Sequence, residues 1–239
     1  MASISTYVRD YGNKTFFEEP FNEIDNVVFS SLIYLNYEDI VPENRKYIRL
    51  EEAGIKYLEK YSYFEISKLG IAQKVSYQLL KQVINTVRYK DVLMYNFKYI
   101  ADSDRQFGAV CFKVKKNFTY VAFEGTDNLL SGWKEDFELS YKFPVPAQTL
   151  AIEYINKCVR FYDKNVMVGG HSKGGNLALV SSMFAKKLVN KKIKKIYSND
   201  GPGLRKAEIE SDNYKKVRDR LIHIVPNYSY IGVLLRNDK

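Results

Sequence analysis

One short stretch of the sequence places a serine between closely spaced glycines. Gly170-His171-Ser172-Lys173-Gly174 follows the pattern Gly-X-Ser-X-Gly, in which the serine stands between a strand and a helix. Such a turn exposes the hydroxyl, and the small residues on either side let the strand and the helix approach each other. Ser172 is therefore a candidate nucleophile for attack on an acyl carbon. The alternative is a glycine-rich turn with an incidental serine.

Acyl transfer also needs two N–H donors for the negative charge that develops on the carbonyl oxygen. The amide of Lys173, directly after the serine, is the first candidate. The second is Thr126, in the segment Gly125-Thr126-Asp127 that follows an apolar run. The same segment can form a plain turn in which Asp127 caps a following helix, and the two interpretations are compatible.

A serine hydrolase completes this set with an acid and a base, in the chain order serine, acid, histidine. Asp200, in Asn199-Asp200-Gly201, is the candidate acid, although an Asp-Gly turn accounts for it equally well. The sequence has two histidines. We expect His171 to point away from the serine, and His223 falls inside a predicted strand, where a packing role is favoured. The residues therefore assign no general base.

Strands and helices must position these groups. The apolar run Asn165–Gly169 predicts a buried strand before the serine, and Gly175–Leu188 has helical periodicity after it. The other predicted strands cover 91–100, 108–114, 120–124, 193–198 and 221–225, and the other helices of this half cover 149–162 and 214–220. The alternation of strands and helices from residue 108 onward predicts a parallel α/β sheet.

Residues 1–90 have a different character, because apolar residues recur there with the helical period. Helices are predicted to begin at Asn22 or Asp25 and to cover 50–61 and 72–89. No linker separates this part from the sheet core at 91–239, so we predict one domain over residues 1–239. The aromatic residues of the N-terminal helices are expected to contribute to an acyl pocket or a lid.

The composition restricts the protein class. The chain has 239 residues, 46% of them hydrophobic, which is incompatible with disorder. Two histidines exclude a histidine-rich metal site, and we expect no cofactor. Cys111 and Cys158 lie in apolar stretches and are expected in the core, which points to a reducing compartment. With neither an apolar leader at the N-terminus nor a long apolar run, we expect a cytoplasmic protein.

Positive charge is concentrated in one part of the sequence. The net charge is +9, and six lysines fall within Lys186–Lys195. The favoured interpretation is a solvated helix end. The alternative is a non-catalytic module that binds an anionic membrane or a polyanion through these lysines. Nucleic acid is disfavoured because no aromatic residues alternate with the lysines to stack on bases.

Several motifs together resemble a known family. GHSKGGNLA resembles the nucleophile turn of class 3 lipases, and FEGTDN with GWKEDFELSY resembles their oxyanion strand and loop. With FFEEPFNEIDNVVFSSLIYLNY, QFGAVCF, NDGPG and IVPNYSYIGVLL, the chain resembles the Mbeg-like family of bacterial lipase-like α/β hydrolases from about Phe16 to Leu235. The resemblance implies an α/β-hydrolase fold, Ser172 as nucleophile, and Thr126 with Lys173 at the oxyanion hole.

Two features depart from the family pattern. Lipases of this type usually carry an arginine before the Gly-Thr pair, whereas Glu124 stands here, so we expect that arginine's buried ion pair to be absent or reversed. A histidine is expected beyond the strand 221–225, and Asn227 and Ser229 occupy the other common acid position without a carboxylate. We therefore expect either a C-terminally shortened or a degenerate hydrolase of esters or thioesters, weak or inactive as it stands.

Overall fold

The computed structural model of the protein describes residues 4–102, 105–126, 138–139 and 141–226. In this part of the chain seven strands form one sheet, and their spatial order is their order in the sequence. The strands are β1 Ile48–Arg49, β2 Leu93–Ala101, β3 Gln106–Lys115, β4 Phe118–Phe123, β5 Asn165–His171, β6 Ile193–Asn199 and β7 Leu221–Ile224.

The sheet changes from antiparallel to parallel at its centre. Strands β1 to β4 pair antiparallel, and β4 to β7 pair parallel. The prediction of parallel strands from residue 108 onward therefore holds only from β4, because a tight turn at Lys116-Asn117 joins β3 directly to β4. The carboxyl ends of β4, β5 and β6 meet at one edge of the sheet. Thr126, Ser172 and Asp200 follow these strands.

Ten helices accompany the sheet in the described ranges, and none is long and apolar enough to cross a bilayer. Thr86 ends the fifth helix earlier than predicted, because its hydroxyl donates a hydrogen bond to the carbonyl of Val83 (2.7 Å). The predicted helix 214–220 is divided at Val217, where φ is −118°. The helices are α1 Ile4–Tyr11, α2 Glu23–Leu32, α3 Leu50–Lys60, α4 Tyr63–Ser67, α5 Ile71–Val83, α6 Pro146–Cys158, α7 Lys173–Met183, α8 Lys187–Asn190, α9 Lys206–Ile209 and α10 Asp212–Lys215, followed by a 3-10 turn Arg218–Arg220.

The sheet is covered on both faces, which is why its central strands have nearly continuous apolar sequences. Val110 and Tyr120 face a core shared with helices α1 to α5. Their neighbours Cys111 and Val121 face a second core shared with α6 and α7. The N-terminal helices therefore pack directly on the sheet that carries the candidate site.

A fully buried ion pair holds the N-terminal layer together. Asp25, in the first turn of α2, accepts hydrogen bonds from Arg88 Nε (2.8 Å), Arg88 Nη2 (2.5 Å) and the hydroxyl of Tyr89 (2.6 Å). The Arg88 guanidinium also donates to the carbonyl of Glu19 (3.0 Å) and lies over the ring of Phe16. These contacts join the segment before α2 to the segment after α5.

Candidate active site

Ser172 is the single residue between β5 and α7. Its backbone has φ 55° and ψ −130°, a region that residues other than glycine rarely adopt and that costs about 1–3 kcal/mol. The Ser172 amide donates to the carbonyl of Asn199 (2.9 Å), and its carbonyl accepts from the amide of Gly175 (2.9 Å). In the described part of the chain, its hydroxyl makes no hydrogen bond. The turn is thus fixed by backbone contacts, and the hydroxyl is left for other chemistry.

Two glycines allow this turn to form. A Cβ on Gly170 would collide with the backbone of Gly174, and a Cβ on Gly174 would collide with the carbonyl oxygen of Phe123. The strand, the helix and the end of β4 therefore approach each other more closely than side chains permit. This is the strand–turn–helix geometry that the Gly-X-Ser-X-Gly pattern predicts.

The two candidate oxyanion donors lie beside the turn. Gly125, which precedes Thr126, packs so tightly that a Cβ there would collide with the carbonyl oxygen of His171. Lys173 is the first residue of α7, so its amide lies at the N-terminus of that helix, directly after Ser172. The structure thus brings Thr126 and Lys173 to the same turn, and their oxyanion role stays a prediction.

The Lys173 side chain forms a connection that the sequence did not reveal. It is fully buried, and its Nζ donates to the Gln106 carbonyl (3.0 Å) and to Gln106 Oε1 (2.7 Å). Gln106 Nε2 in turn donates to Glu124 Oε2 (3.1 Å) and to the carbonyl of Gly125 (3.2 Å). These bonds join the start of α7 to the end of β4, on both sides of Ser172.

The expectation for Glu124 can now be made specific. Glu124 places a carboxylate at the end of β4, and Lys173 places an ammonium group on α7. An arginine at position 124 would put the positive charge on β4, so the charges are reversed here. Gln106 links the two groups. Glu124 has room because residue 108 is glycine, since a Cβ at Gly108 would collide with the carboxylate. A buried glutamine at the start of an otherwise apolar strand was the available sequence signal.

The candidate acid Asp200 directly follows β6, with φ 52° and its amide bonded to the carbonyl of Ile224 (2.7 Å). Its neighbour Asn199 accepts a hydrogen bond from the Ser172 amide and is in register with His171, so Asp200 and Ser172 are the next residues on the two adjacent strands. No hydrogen bond between the two side chains is present in the described residues. The structure thus places Asp200 at the same edge of the sheet as Ser172.

His171 is held from the N-terminal layer. The Tyr34 hydroxyl lies 2.8 Å from its Nδ1, and the residue keeps contact with solvent. Burial lowers the pKa of His171 from its usual value, and the nearby charge of Asp200 opposes that effect without cancelling it. His171 is therefore neutral at pH 7. Sequence reasoning did not identify Tyr34, because only the fold brings α2 next to the turn.

The second histidine, His223, lies within β7, half-buried and in register with Ser198. It therefore occupies the strand position that the sequence predicted. Neither histidine donates to or accepts from the Ser172 hydroxyl in the ranges that the structure describes. Asn227, Ser229 and Asp127 lie outside these ranges.

A buried polar network lies beneath the turn. Asn26 Nδ2 donates to Asn199 Oδ1 (2.7 Å), and Asn199 Nδ2 donates to Ser30 Oγ (3.0 Å). The Tyr120 hydroxyl donates to Asn26 Oδ1 (2.6 Å). Gly169 leaves space for this network, since a Cβ there would collide with that hydroxyl. The network fixes the side chain of Asn199, whose carbonyl holds the Ser172 amide.

A cavity of about 480 Å³ opens beside the turn. Its lining mixes aromatic and aliphatic side chains with polar and charged ones, and it reaches Tyr34 and Glu124. Tyr34 contacts His171, and Glu124 precedes the candidate oxyanion segment. The aromatic and aliphatic side chains that line the cavity are Tyr34, Tyr57, Tyr61, Ile66, Leu69 and Tyr99. Helices α3 and α4 of the N-terminal layer therefore supply one wall of a cavity that reaches Tyr34, the contact of His171.

The strain at Ser172 gives a testable stability difference. We expect Ser172→Gly to unfold with a free energy about 1 kcal/mol higher than Ser172→Ala, because glycine adopts φ 55°, ψ −130° without steric cost. Urea unfolding of the two variants measures this difference. Equal stability, or a more stable alanine variant, would show that the turn is relaxed.

Comparisons with known proteins place the chain in a family. The family model described as Mbeg1-like matches residues 83–239. Among solved structures, the M37 lipase matches with a TM-score of 0.48 and 13% identity, over 86% of this chain and 67% of that one. The extracellular lipase LipA from Serratia marcescens matches with a TM-score of 0.39 and 12% identity, over 84% of this chain and 38% of that one. No curated protein sequence matches the chain.

The observed architecture agrees with the fold expected from the motifs. A mixed sheet with helices on both faces, and a serine turn after a central parallel strand, is an α/β-hydrolase-like fold. The matched residues include the serine turn and both strands next to it. Because the family model covers more than half of the sequence, the chain belongs to the Mbeg1-like family.

Proposed function

We propose that this protein is a serine hydrolase that cleaves carboxylic ester or thioester bonds through Ser172. The observation that carries the proposal is the strained turn with a hydroxyl that makes no hydrogen bond in the described part of the chain. Backbone strain of this kind persists only where the surrounding structure enforces it, and it concentrates at functional sites. A purely structural turn here would be better served by glycine.

In the proposed reaction the Ser172 Oγ attacks the acyl carbon to form a tetrahedral intermediate, which expels the alcohol or thiol as it collapses to an acyl-serine that water then hydrolyses. The amides of Lys173 and Thr126 stabilise the oxyanion, and the positive end of the α7 dipole supports them. Asp200 orients the base that accepts the serine proton. That base is not assigned among the described residues, and we expect slow turnover because losing the base forfeits most of a triad's rate.

The aromatic cavity supports an apolar acyl group as the part of the substrate that is bound. At about 480 Å³ it falls within the size range of small-molecule sites. Tyr34 lines the cavity and contacts His171, the residue before Ser172, so the cavity is the candidate site for the acyl group of a substrate. A chain of modest length fits this space.

A fluorophosphonate probe tests the proposal, because it reacts with activated serine hydroxyls without requiring turnover. We expect the wild-type protein to be labelled at Ser172 and Ser172→Ala to lose the label. Ser182→Ala is the matched control, because Ser182 is a buried serine on the same helix whose hydroxyl bonds to the Ala178 carbonyl (2.7 Å). Peptide mapping by mass spectrometry identifies the modified residue. An unlabelled wild type, or a label that survives Ser172→Ala, would contradict the proposal.

A further inference from the structure

The edge of the sheet opposite Ser172 carries exposed apolar and basic side chains together. It is formed by loop 159–164, which enters β5, and by α8, which precedes β6. Because β5 and β6 are parallel neighbours, the segments that enter them lie side by side. We call this the basal surface, defined by Arg160, Phe161, Lys164, Lys187, Leu188 and Lys191, all of which are exposed.

Two large apolar side chains protrude from the basal surface. Phe161 is 89% exposed and Leu188 is 75% exposed. A single exposed hydrophobic residue needs no explanation. Two such residues at one edge, surrounded by cations, form the pattern by which peripheral proteins contact lipid surfaces.

The fold holds Phe161 outward and turns the nearby acid inward. The Arg160 amide donates to Asp163 Oδ2 (2.8 Å), and the Asp163 amide donates to the Arg160 carbonyl (3.1 Å). Asp163 is buried and faces Arg45, at 3.9 Å. Lys192 Nζ donates to the same Arg160 carbonyl, which ties the loop to the segment entering β6. The outer face of the loop is therefore basic and apolar.

Contacts of its neighbours also hold Leu188 of helix α8 outward. Its neighbour Val189 is buried in the core, and the Asn190 side chain donates to the Ser182 carbonyl (2.8 Å). Of the other lysines of the sequence cluster, Lys195 pairs with Glu23 (3.5 Å), whereas Lys194 Nζ donates to the Lys191 carbonyl and so stays beside this surface. The basal surface thus combines part of that cluster with cations of a separate loop.

We propose that the basal surface binds anionic lipid bilayers. Phe161 and Leu188 enter the boundary between headgroups and acyl chains, and the surrounding cations meet lipid phosphates. Lipid is favoured over nucleic acid because the aliphatic Leu188 offers no ring for base stacking. The length of β5 separates this surface from Ser172 by about 20 Å, so the candidate active site faces water when the protein is docked. The binding does not depend on hydrolysis.

Cosedimentation with vesicles tests the proposal. We expect the protein to bind vesicles of phosphatidylcholine mixed with phosphatidylglycerol and to dissociate from them at high salt. It should not bind vesicles of pure phosphatidylcholine. Phe161→Ser and Leu188→Ser should each weaken binding about tenfold, since each removes an inserted apolar side chain. Lys187→Glu with Lys191→Glu should weaken it further. The matched controls are Ile71→Ser, which replaces an 80% exposed residue on α5, and Lys81→Glu on the same helix. These controls and Ser172→Ala should bind like the wild type.

A fluorophore reports the orientation on the vesicle. Cys111 and Cys158 are buried, so a thiol-reactive environment-sensitive dye selects a cysteine introduced by Leu188→Cys. We expect its emission to shift to the blue on anionic vesicles, whereas Ile71→Cys stays unchanged. The proposal would be overturned if the protein bound neutral vesicles as well as anionic ones, or if Phe161→Ser and Leu188→Ser bound like the wild type. An unshifted dye emission would overturn it too. The proposal would also be overturned if a single-stranded polynucleotide displaced the protein from vesicles and bound it equally well with and without Phe161→Ser.

Discussion

Replacing Asp25 by asparagine is expected to lower the free energy of unfolding by about 3–5 kcal/mol, because it leaves the buried Arg88 guanidinium without a counter-ion. Both side chains are fully inaccessible to solvent, and Asp25 accepts three hydrogen bonds from Arg88 and Tyr89. Asparagine keeps the shape but loses the charge. Urea unfolding monitored by circular dichroism measures the loss.

The chain supplies a control with the same chemistry at the surface. Arg9 and Asp10 form an ion pair at 2.8 Å with both side chains substantially exposed. Asp10→Asn should change stability by less than about 1 kcal/mol, because solvent screens exposed pairs. Replacing both buried partners, as in Asp25→Leu with Arg88→Met, should recover part of the loss. If Asp25→Asn and Asp10→Asn are equally mild, the ion pair does not hold the N-terminal layer.

The second large effect is expected for Gly174→Ala. A new Cβ there would collide with the Phe123 carbonyl oxygen and approach the Glu124 carbonyl carbon to 2.9 Å. Both are backbone atoms at the end of β4, so relief requires moving the strand that leads to Thr126. We expect a destabilisation of about 1–3 kcal/mol, which is typical of overpacking, together with loss of fluorophosphonate labelling.

The sign of this change makes the test sharp. Glycine to alanine inside a helix ordinarily stabilises a protein by about 0.5–1 kcal/mol. Gly70→Ala is the control, because Gly70 precedes α5 with φ −67° and ψ 171°, which any residue adopts. Because Gly70 is the N-cap of α5, where alanine is less favourable than glycine, its replacement should cost no more than about 1 kcal/mol and leave the labelling unchanged. A Gly174→Ala variant that is more stable than the wild type, or that labels normally, would show that the turn tolerates a side chain.

The serine turn could be predicted because its requirements are local. The buried strand before Ser172, the helix after it and the two glycines are all encoded within a short stretch of chain, although the helix is buried along its whole length. The same holds for the strands β6 and β7, whose predicted bounds agree closely with the observed ones. Helix ends were predicted less well where a side chain such as Thr86 captures a backbone carbonyl.

The surroundings of the turn depend on contacts between distant segments. Tyr34 reaches His171 across 137 residues, and Gln106 reaches Lys173 across 67. Periodicity does not encode such pairs, because it reports which face of an element is buried and not which element covers it. For the same reason, the sequence did not decide whether the ion pair at Glu124 is absent or reversed.

The sequence by itself therefore determined the α/β class, the serine turn and the motifs on either side of it, because backbone geometry and burial follow from nearby residues. Only the tertiary structure decided how the buried charges are satisfied and which cations share a surface with Phe161 and Leu188. Those outcomes depend on the packing of segments far apart in the chain, where each buried polar group must find its partner.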